Sequence, residues 1–230
     1  MTRSLYALMA VAMLTMAAPA QDTATIHIAS PYVNFNQKHG LELFVGYFGG
    51  NTGEAHVGPQ GSLLVGADYF LHIGGPAFAQ ARLTFAPSQH TVVDTTPGLP
   101  PAARNLGTIS APLYMFDAGI YASVTGEKTW HKLLPLVGFA LGVAYDPNGV
   151  DAGGYAFGTK VYLGLGGSVA YRISGRWVGR VDLWDYLWQL KYPPSFIRSG
   201  NTGVLPTSAS NHEWTNNGLF SVGVSYILNR

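Results

Sequence analysis

Cysteine is absent from the 230 residues. A disulfide framework, a thiolate metal site and a cysteine nucleophile are therefore all excluded. Charge is scarce as well. The 13 basic and 12 acidic residues make 11% of the chain, against about 25% in an ordinary soluble domain. A net charge of +1 without basic runs leaves no footprint for nucleic acid. An apolar fraction of 47% with so little net charge argues against disorder. Long apolar runs are missing after residue 20. Every later stretch is broken within a few residues by Gly, Pro or a charge, so none reads as a spanning helix. What replaces charge is Gly, at 29 residues, with Ala, Ser, Thr and aromatics.

The first twenty residues read as an export signal. Arg3 precedes an uncharged stretch, and its apolar core from Leu5 to Ala17 is too short to span a bilayer. Ala18 and Ala20 fit an A-x-A cleavage pattern before Gln21. The expected division is a signal peptide at 1–20, an N-terminal periplasmic segment at 21–40 and a barrel domain at 41–230. Residues 21–40 read either as a tail or as an extra strand around Thr25–Ala29.

Alternation with a period of two recurs eight times: at 41–49, 61–73, 77–87, 111–125, 132–145, 158–173, 177–191 and 214–228. In the first, Leu41, Leu43, Val45 and Tyr47 oppose Glu42, Phe44, Gly46 and Phe48. In the fifth, Val137, Phe139, Leu141, Val143 and Tyr145 oppose Gly138, Ala140, Gly142 and Ala144. The seventh sets Val181 and Leu183 against Arg180 and Asp182. Beyond Trp184 its phase is not readable, which suggests a bulge near Asp185. Connections at 74–76, 126–131 and 174–176 are tight turns, whereas those at 50–60, 88–110, 146–157 and 192–213 are long. Short turns at one end and long loops at the other predict an all-β, eight-stranded, antiparallel up-and-down transmembrane β-barrel.

The direction of the faces follows from composition. A soluble barrel exposes its second face to water and fills it with Lys, Glu, Arg and Asp. Here that face is mostly Gly, Ala, Ser and Tyr with about one charge per strand, which suits a crowded lumen. The uniform apolar face carries Tyr47, Tyr69, Phe85, Tyr145, Tyr171 and Tyr226 near strand ends, as aromatic girdles at a lipid interface do. Spanning strands must also close every backbone hydrogen bond, and eight strands close within one chain.

The signal segment, the eight girdled strands and the closing run Phe220–Val222–Val224–Tyr226–Leu228 resemble the small outer-membrane barrels typified by the OmpA transmembrane domain and OmpX. The resemblance covers roughly residues 41–228 and is one of pattern. It implies outer-membrane localisation after export. Its implied partners are outer-membrane lipid and lipopolysaccharide, the outer-membrane assembly machinery, and an extracellular ligand reached through the loops. In that family the last strand ends in a terminal aromatic; here the alternation stops at Leu228, followed by Asn229 and Arg230. No peptidoglycan-binding domain is expected after the barrel, so wall anchoring is not implied.

Eight charges fall on the inward face. Glu42, Asp68, Asp117 and Asp182 meet Lys160, Arg82, Arg172 and Arg180. Buried charges need partners, so these read as a polar plug. A narrow conducting path gated by the same pairs, porin-like, is the alternative. The run R-V-D-L-W-D-Y at 180–186 reads as plug plus outer-girdle residues. Outer-membrane lipid-modifying enzymes are also small barrels and place His with Ser, which draws attention to Ser210, His212 and Glu213. No orienting third group or oxyanion site accompanies them. The seven His residues are scattered and form no H-x-x-x-H pair. The expectation is a non-enzymatic envelope protein with no catalytic, cofactor or metal site, acting in structure or in surface contact through the loops at 88–110 and 192–213.

Overall fold

Period-two alternation puts successive side chains on opposite faces, and eight long strands use it to close a cylinder. The computed structural model describes residues 30–35, 37–197 and 203–229. Its strands are β1 (Tyr32–Asn34), β2 (His39–Gly49), β3 (Ser62–Gly74), β4 (Ala77–Ala86), β5 (Gln89–Val93), β6 (Asn105–Ser110), β7 (Leu113–Ser123), β8 (Lys128–Trp130), β9 (Leu133–Tyr145), β10 (Thr159–Ser174), β11 (Trp177–Lys191) and β12 (His212–Asn229). The antiparallel order β2–β3–β4–β7–β9–β10–β11–β12 returns to β2. The closing seam pairs Gly218 with Gly49 through to Ile227 with Gly40. The predicted all-β, eight-stranded barrel is therefore the observed one, and among the described residues no helix is long and apolar enough to cross a membrane.

The barrel is inverted relative to a water-soluble one. Leu43, Leu63 and Val161 point outward and expose 69%, 73% and 71% of their surface, whereas Glu42, Asp68, Arg82 and Asp182 are fully buried within. In water such a continuous apolar surface would drive association. The inward face is also more aromatic than composition suggested. Phe44, Phe48, Phe70, Tyr121, Tyr162, Trp184, Tyr186 and Trp188 are all buried. Glycines on neighbouring strands provide their clearance. A Cβ on Gly166 would lie 2.5 Å from the Trp184 ring, and one on Gly138 would lie 2.7 Å from Tyr121.

Four features differ from the sequence reading. The seventh strand has no bulge near Asp185. Its register with β12 runs unbroken from Trp177 opposite Tyr226 to Lys191 opposite His212. Trp184, Tyr186, Trp188 and Leu190 continue the inward phase of Arg180 and Asp182, so the two aromatics of the 180–186 run lie in the lumen and not in the outer girdle. The phase was hidden because this upper part of the outward face is polar, with Asn216 Nδ2 donating to Asp185 Oδ2 at 2.7 Å.

Second, the connection after β7 is more than a tight turn. His131 and Lys132 adopt positive φ (49° and 69°), the geometry of a two-residue hairpin turn. It pairs Trp130 with Leu133 and creates β8. Third, β8 takes β1 as its other partner, opposing Tyr32 to Trp130. The extra N-terminal strand thus forms at Tyr32–Asn34; Thr25–Ala29, like the signal segment, lies outside the described residues. Fourth, the long loop at 88–110 folds into the β5–β6 hairpin.

Replacing Gly166 by Leu is expected to destabilise the barrel by about 1–3 kcal/mol, the usual cost of overpacking. Gly218→Ala, where an added Cβ meets nothing within 4 Å, is expected to leave stability unchanged. Unfolding midpoints in lipid vesicles check both, and equal midpoints for Gly166→Leu and the parent would refute the packing account.

Candidate functional site

Six of the eight inward charges meet at one level of the lumen because β2, β3, β4, β7 and β11 bring Glu42, Asp68, Arg82, Asp117, Arg180 and Asp182 to adjoining register positions. Glu42 lies opposite Asp68, Asp68 opposite Arg82, and Arg82 opposite Asp117. Arg82 grips Asp68 side-on, with Nε donating to Oδ1 at 2.9 Å and Nη2 to Oδ2 at 2.8 Å. Arg180 reaches across, donating Nη2 to Asp182 Oδ1 at 2.7 Å and to Asp68 Oδ2 at 3.2 Å. Its Nε stands 3.6 Å from Glu42 Oε2.

Both guanidiniums sit on aromatic faces. Arg180 lies 3.8 Å over Phe70, and Arg82 lies 5.0 Å from Phe44 and 5.5 Å from Trp184. Neutral hydroxyls complete the cluster. Tyr121 OH accepts from Arg180 at 3.1 Å, Ser168 Oγ donates to Asp182, and Tyr162 OH donates to Asp117 Oδ2 at 2.8 Å.

Lys160 and Arg172 share the inward phase but not the cluster. They lie toward opposite ends of β10. Lys160 Nζ is 5.7 Å from the Phe157 ring near the loop end, and the Arg172 guanidinium is 4.9 Å over Phe35 near the short-turn end. The central network accordingly holds four carboxyls and two guanidiniums rather than four and four. Oxygens of Glu42, Asp68 and Asp182 come within 4.8 Å of one another. That spacing suits a cation, but Arg82 and Arg180 already occupy the space between them.

Among the described residues, side chains fill the lumen on both sides of the cluster. Below it, buried Phe35 and Gln37 line a cavity of about 20 Å³ together with Glu42 and Arg180, room for about one water. Above it, Trp188 stacks on Phe48 at 5.8 Å and meets Phe157 edge-on at 5.7 Å. Val57, Tyr155, Leu190, Tyr192, Phe196 and Leu205 extend this core into the loops. The loops are pinned together by polar contacts. His90 Nε2 and Asp151 Oδ2 are 3.1 Å apart, and Asn148 Nδ2 donates to Ser110 O at 2.6 Å. Burial pushes the Tyr155 phenol up, and burial with the adjacent Glu213 carboxylate does the same to Tyr192. Tyr192 thus remains a donor to Glu213.

That contact decides the Ser210–His212–Glu213 question. Glu213 Oε2 accepts from Tyr192 OH and, at 2.8 Å, from the Glu54 backbone N–H. Ser210 Oγ accepts the His212 backbone N–H at 3.1 Å. These are turn and loop contacts; no described bond joins the three into a relay.

Of the expected interface aromatics, Tyr47, Tyr69, Tyr145 and Tyr171 are exposed on the outer face, with Phe85 and Tyr226 half-buried beside them. Sequence reasoning omitted Tyr32, Tyr114, Trp130, Trp177 and Trp214, which are exposed as well. Their signal was position, since each stands within two residues of a strand end.

No family description matches the chain, and no curated protein sequence does. Among solved structures it is similar to Neisserial surface protein A, at 13% identity over 86% of this chain and 98% of that one, with a TM-score of 0.47. It is similar also to the N-terminal β-barrel domain of Pseudomonas aeruginosa OprF, at 12% identity over 83% and 97%, TM-score 0.45. A major outer membrane protein from Thermus thermophilus follows the same pattern, at 12% identity over 82% and 98%, TM-score 0.40. At such identities no residue's role passes from them to this chain.

Arg180→Leu removes the guanidinium that Asp68, Asp182 and Glu42 share. It is expected to destabilise the barrel by about 3–5 kcal/mol, as breaking a buried pair does. The shift from folded to unfolded gel mobility on heating measures it, and an unchanged midpoint would show that the network does not hold the barrel.

Proposed function

We propose that this chain is an integral outer-membrane barrel that does not conduct and has no catalytic role. In this reading it serves the envelope as a structural element and through contacts made by its loops. The observation that carries the proposal is the inverted distribution of polarity: exposed Leu, Val, Phe and Tyr around the outside and a paired, buried charge cluster within. Lipid tolerates the first, and the closed hydrogen-bond ladder that goes with it is the only sheet arrangement a bilayer accepts.

Non-conduction follows from the filled lumen. Trp184, Tyr186, Trp188 and Tyr162 occupy the space above the arginines, and Phe35 and Gln37 the space below. A porin-like path gated by the same ion pairs would need those aromatics and the capping loops to move together. Surface contact through the loops draws support from their construction. The β5–β6 hairpin, the segment at 146–158 and the described residues 192–197 and 203–211 share a hydrophobic core, and hydrogen bonds pin the hairpin to the 146–158 segment, which gives a partner a preformed surface.

Three readouts test this. The chain is expected in the outer-membrane fraction, it is expected to show heat-modifiable mobility on a detergent gel, and planar bilayers holding it are expected to stay silent. Recovery as a water-soluble protein would overturn the membrane reading, and discrete conductance steps would replace the sealed barrel with the channel.

A further inference from the structure

Charge is distributed unevenly between the two ends of the barrel. At the loop end, among the described residues, Glu54, Asp94, Asp146, Asp151 and Glu213 outnumber Arg104, Lys160 and Lys191. At the short-turn end Lys38, Lys128, Lys132 and Arg176 are exposed, and Glu127 is the exposed carboxylate. These four residues form an arc. Lys128 and Lys132 flank the β8–β9 turn, and the Lys132 carbonyl accepts the Arg172 backbone N–H at 3.1 Å, which brings that turn against the end of β10. Arg176 sits in the β10–β11 turn, and its carbonyl accepts the Ile227 N–H at 2.8 Å. Lys38 precedes β2, the partner of β12.

A few surface lysines would by themselves be a solvated face. Here the same arc carries the aromatics of the short-turn interface. Trp130 stands between Lys128 and Lys132, Tyr171 lies three residues before the end of β10, and Trp177 follows Arg176. Trp177 packs on Tyr226 at 5.1 Å, and Arg176 Nη1 donates to the Tyr226 hydroxyl at 3.2 Å. The remaining turn, between β3 and β4, has neither basic nor Trp residues. Trp and Tyr settle at headgroup depth, so basic groups immediately beyond them stand at the depth of the phosphates. Among the described residues no carboxylate lies within ion-pair distance of the four.

We infer that this arc binds the phosphate headgroups of anionic phospholipid in the leaflet that faces the short turns. The inference rests on the reading that the barrel sits in a bilayer. Each basic residue near an anionic surface contributes roughly a fivefold preference, and the effect weakens as salt screens it.

The test uses the full chain with Trp214→Phe, which removes the exposed Trp at the loop end and leaves Trp130 and Trp177 as lipid-facing reporters. The protein is folded into phosphatidylcholine vesicles that contain either brominated phosphatidylglycerol or brominated phosphatidylcholine, and tryptophan quenching is read. Brominated phosphatidylglycerol is expected to bind at least fivefold better at low salt, with the preference falling in high salt. In Lys38→Gln, Lys128→Gln, Lys132→Gln, Arg176→Gln combined, the two lipids are expected to quench alike. Equal quenching of the parent by both lipids, or a preference that survives either salt or the four substitutions, overturns the inference while leaving the barrel intact. Failure of the parent to insert and show heat-modifiable mobility in phosphatidylcholine alone removes the bilayer reading, and this one with it.

Discussion

Backbone polarity sets the terms for everything else in this chain. A sheet whose edges faced hydrocarbon would leave rows of N–H and C=O groups without partners, each at a cost of several kcal/mol. The pairing of β12 with β2 removes those edges. Once closed, the sheet divides side chains strictly into two environments, and period-two alternation is the only way to serve both. The scarcity of charge follows from the outer environment, because half of every strand must be acceptable to lipid. The even strand number brings the start of β2 and the end of β12 together, with Asn229 opposite His39 at the short-turn end.

Closure with eight strands also leaves an interior that side chains must fill. The chain fills it in layers. Aromatic rings lie in clearances left by glycines such as Gly138 and Gly166. Below them, two arginines pair with Glu42, Asp68 and Asp182 on three strands of the wall and lie on Phe70, Phe44 and Trp184. A buried guanidinium is costly unless its donors are engaged. The network meets that condition at Arg82 and Arg180 by spanning the barrel, so it ties opposite walls together and obstructs the lumen at the same time.

Much of this was legible in the sequence, for a physical reason. Alternation names the face of each residue without any knowledge of its neighbours, so the eight strands and the inward set from Glu42 to Asp182 could be read one strand at a time. Height along the barrel could not. Strands in a barrel are tilted and staggered, and Lys160 and Arg172 share a face with the cluster while lying toward opposite ends of β10. The upper part of β11 misled for a different reason. There the strand leaves the apolar belt, Asp185 and Gln189 face outward, and Trp184, Tyr186 and Trp188 face the core beneath the loops. Polarity inverts along a single strand, and a pattern that assumes one fixed sense loses the phase. The β1–β8 pair was hidden because both strands are three residues long, too short for alternation to show, and β1 exists only through its pairing with β8.

The central claim is that lipid touches one face of each strand and none of the other. The absence of cysteine makes it directly measurable, since single substitutions from Val137→Cys through Val143→Cys along β9 carry no background thiol. Each variant is treated with an environment-sensitive, thiol-reactive fluorophore in vesicles. The label at 137, 139, 141 and 143 is expected to be quenched by spin-labelled lipid and untouched by aqueous iodide, whereas a thiol at 140, on the packed inward face, is expected to resist labelling in the folded barrel. Iodide quenching at the odd positions, or ready labelling at 140, would contradict the account.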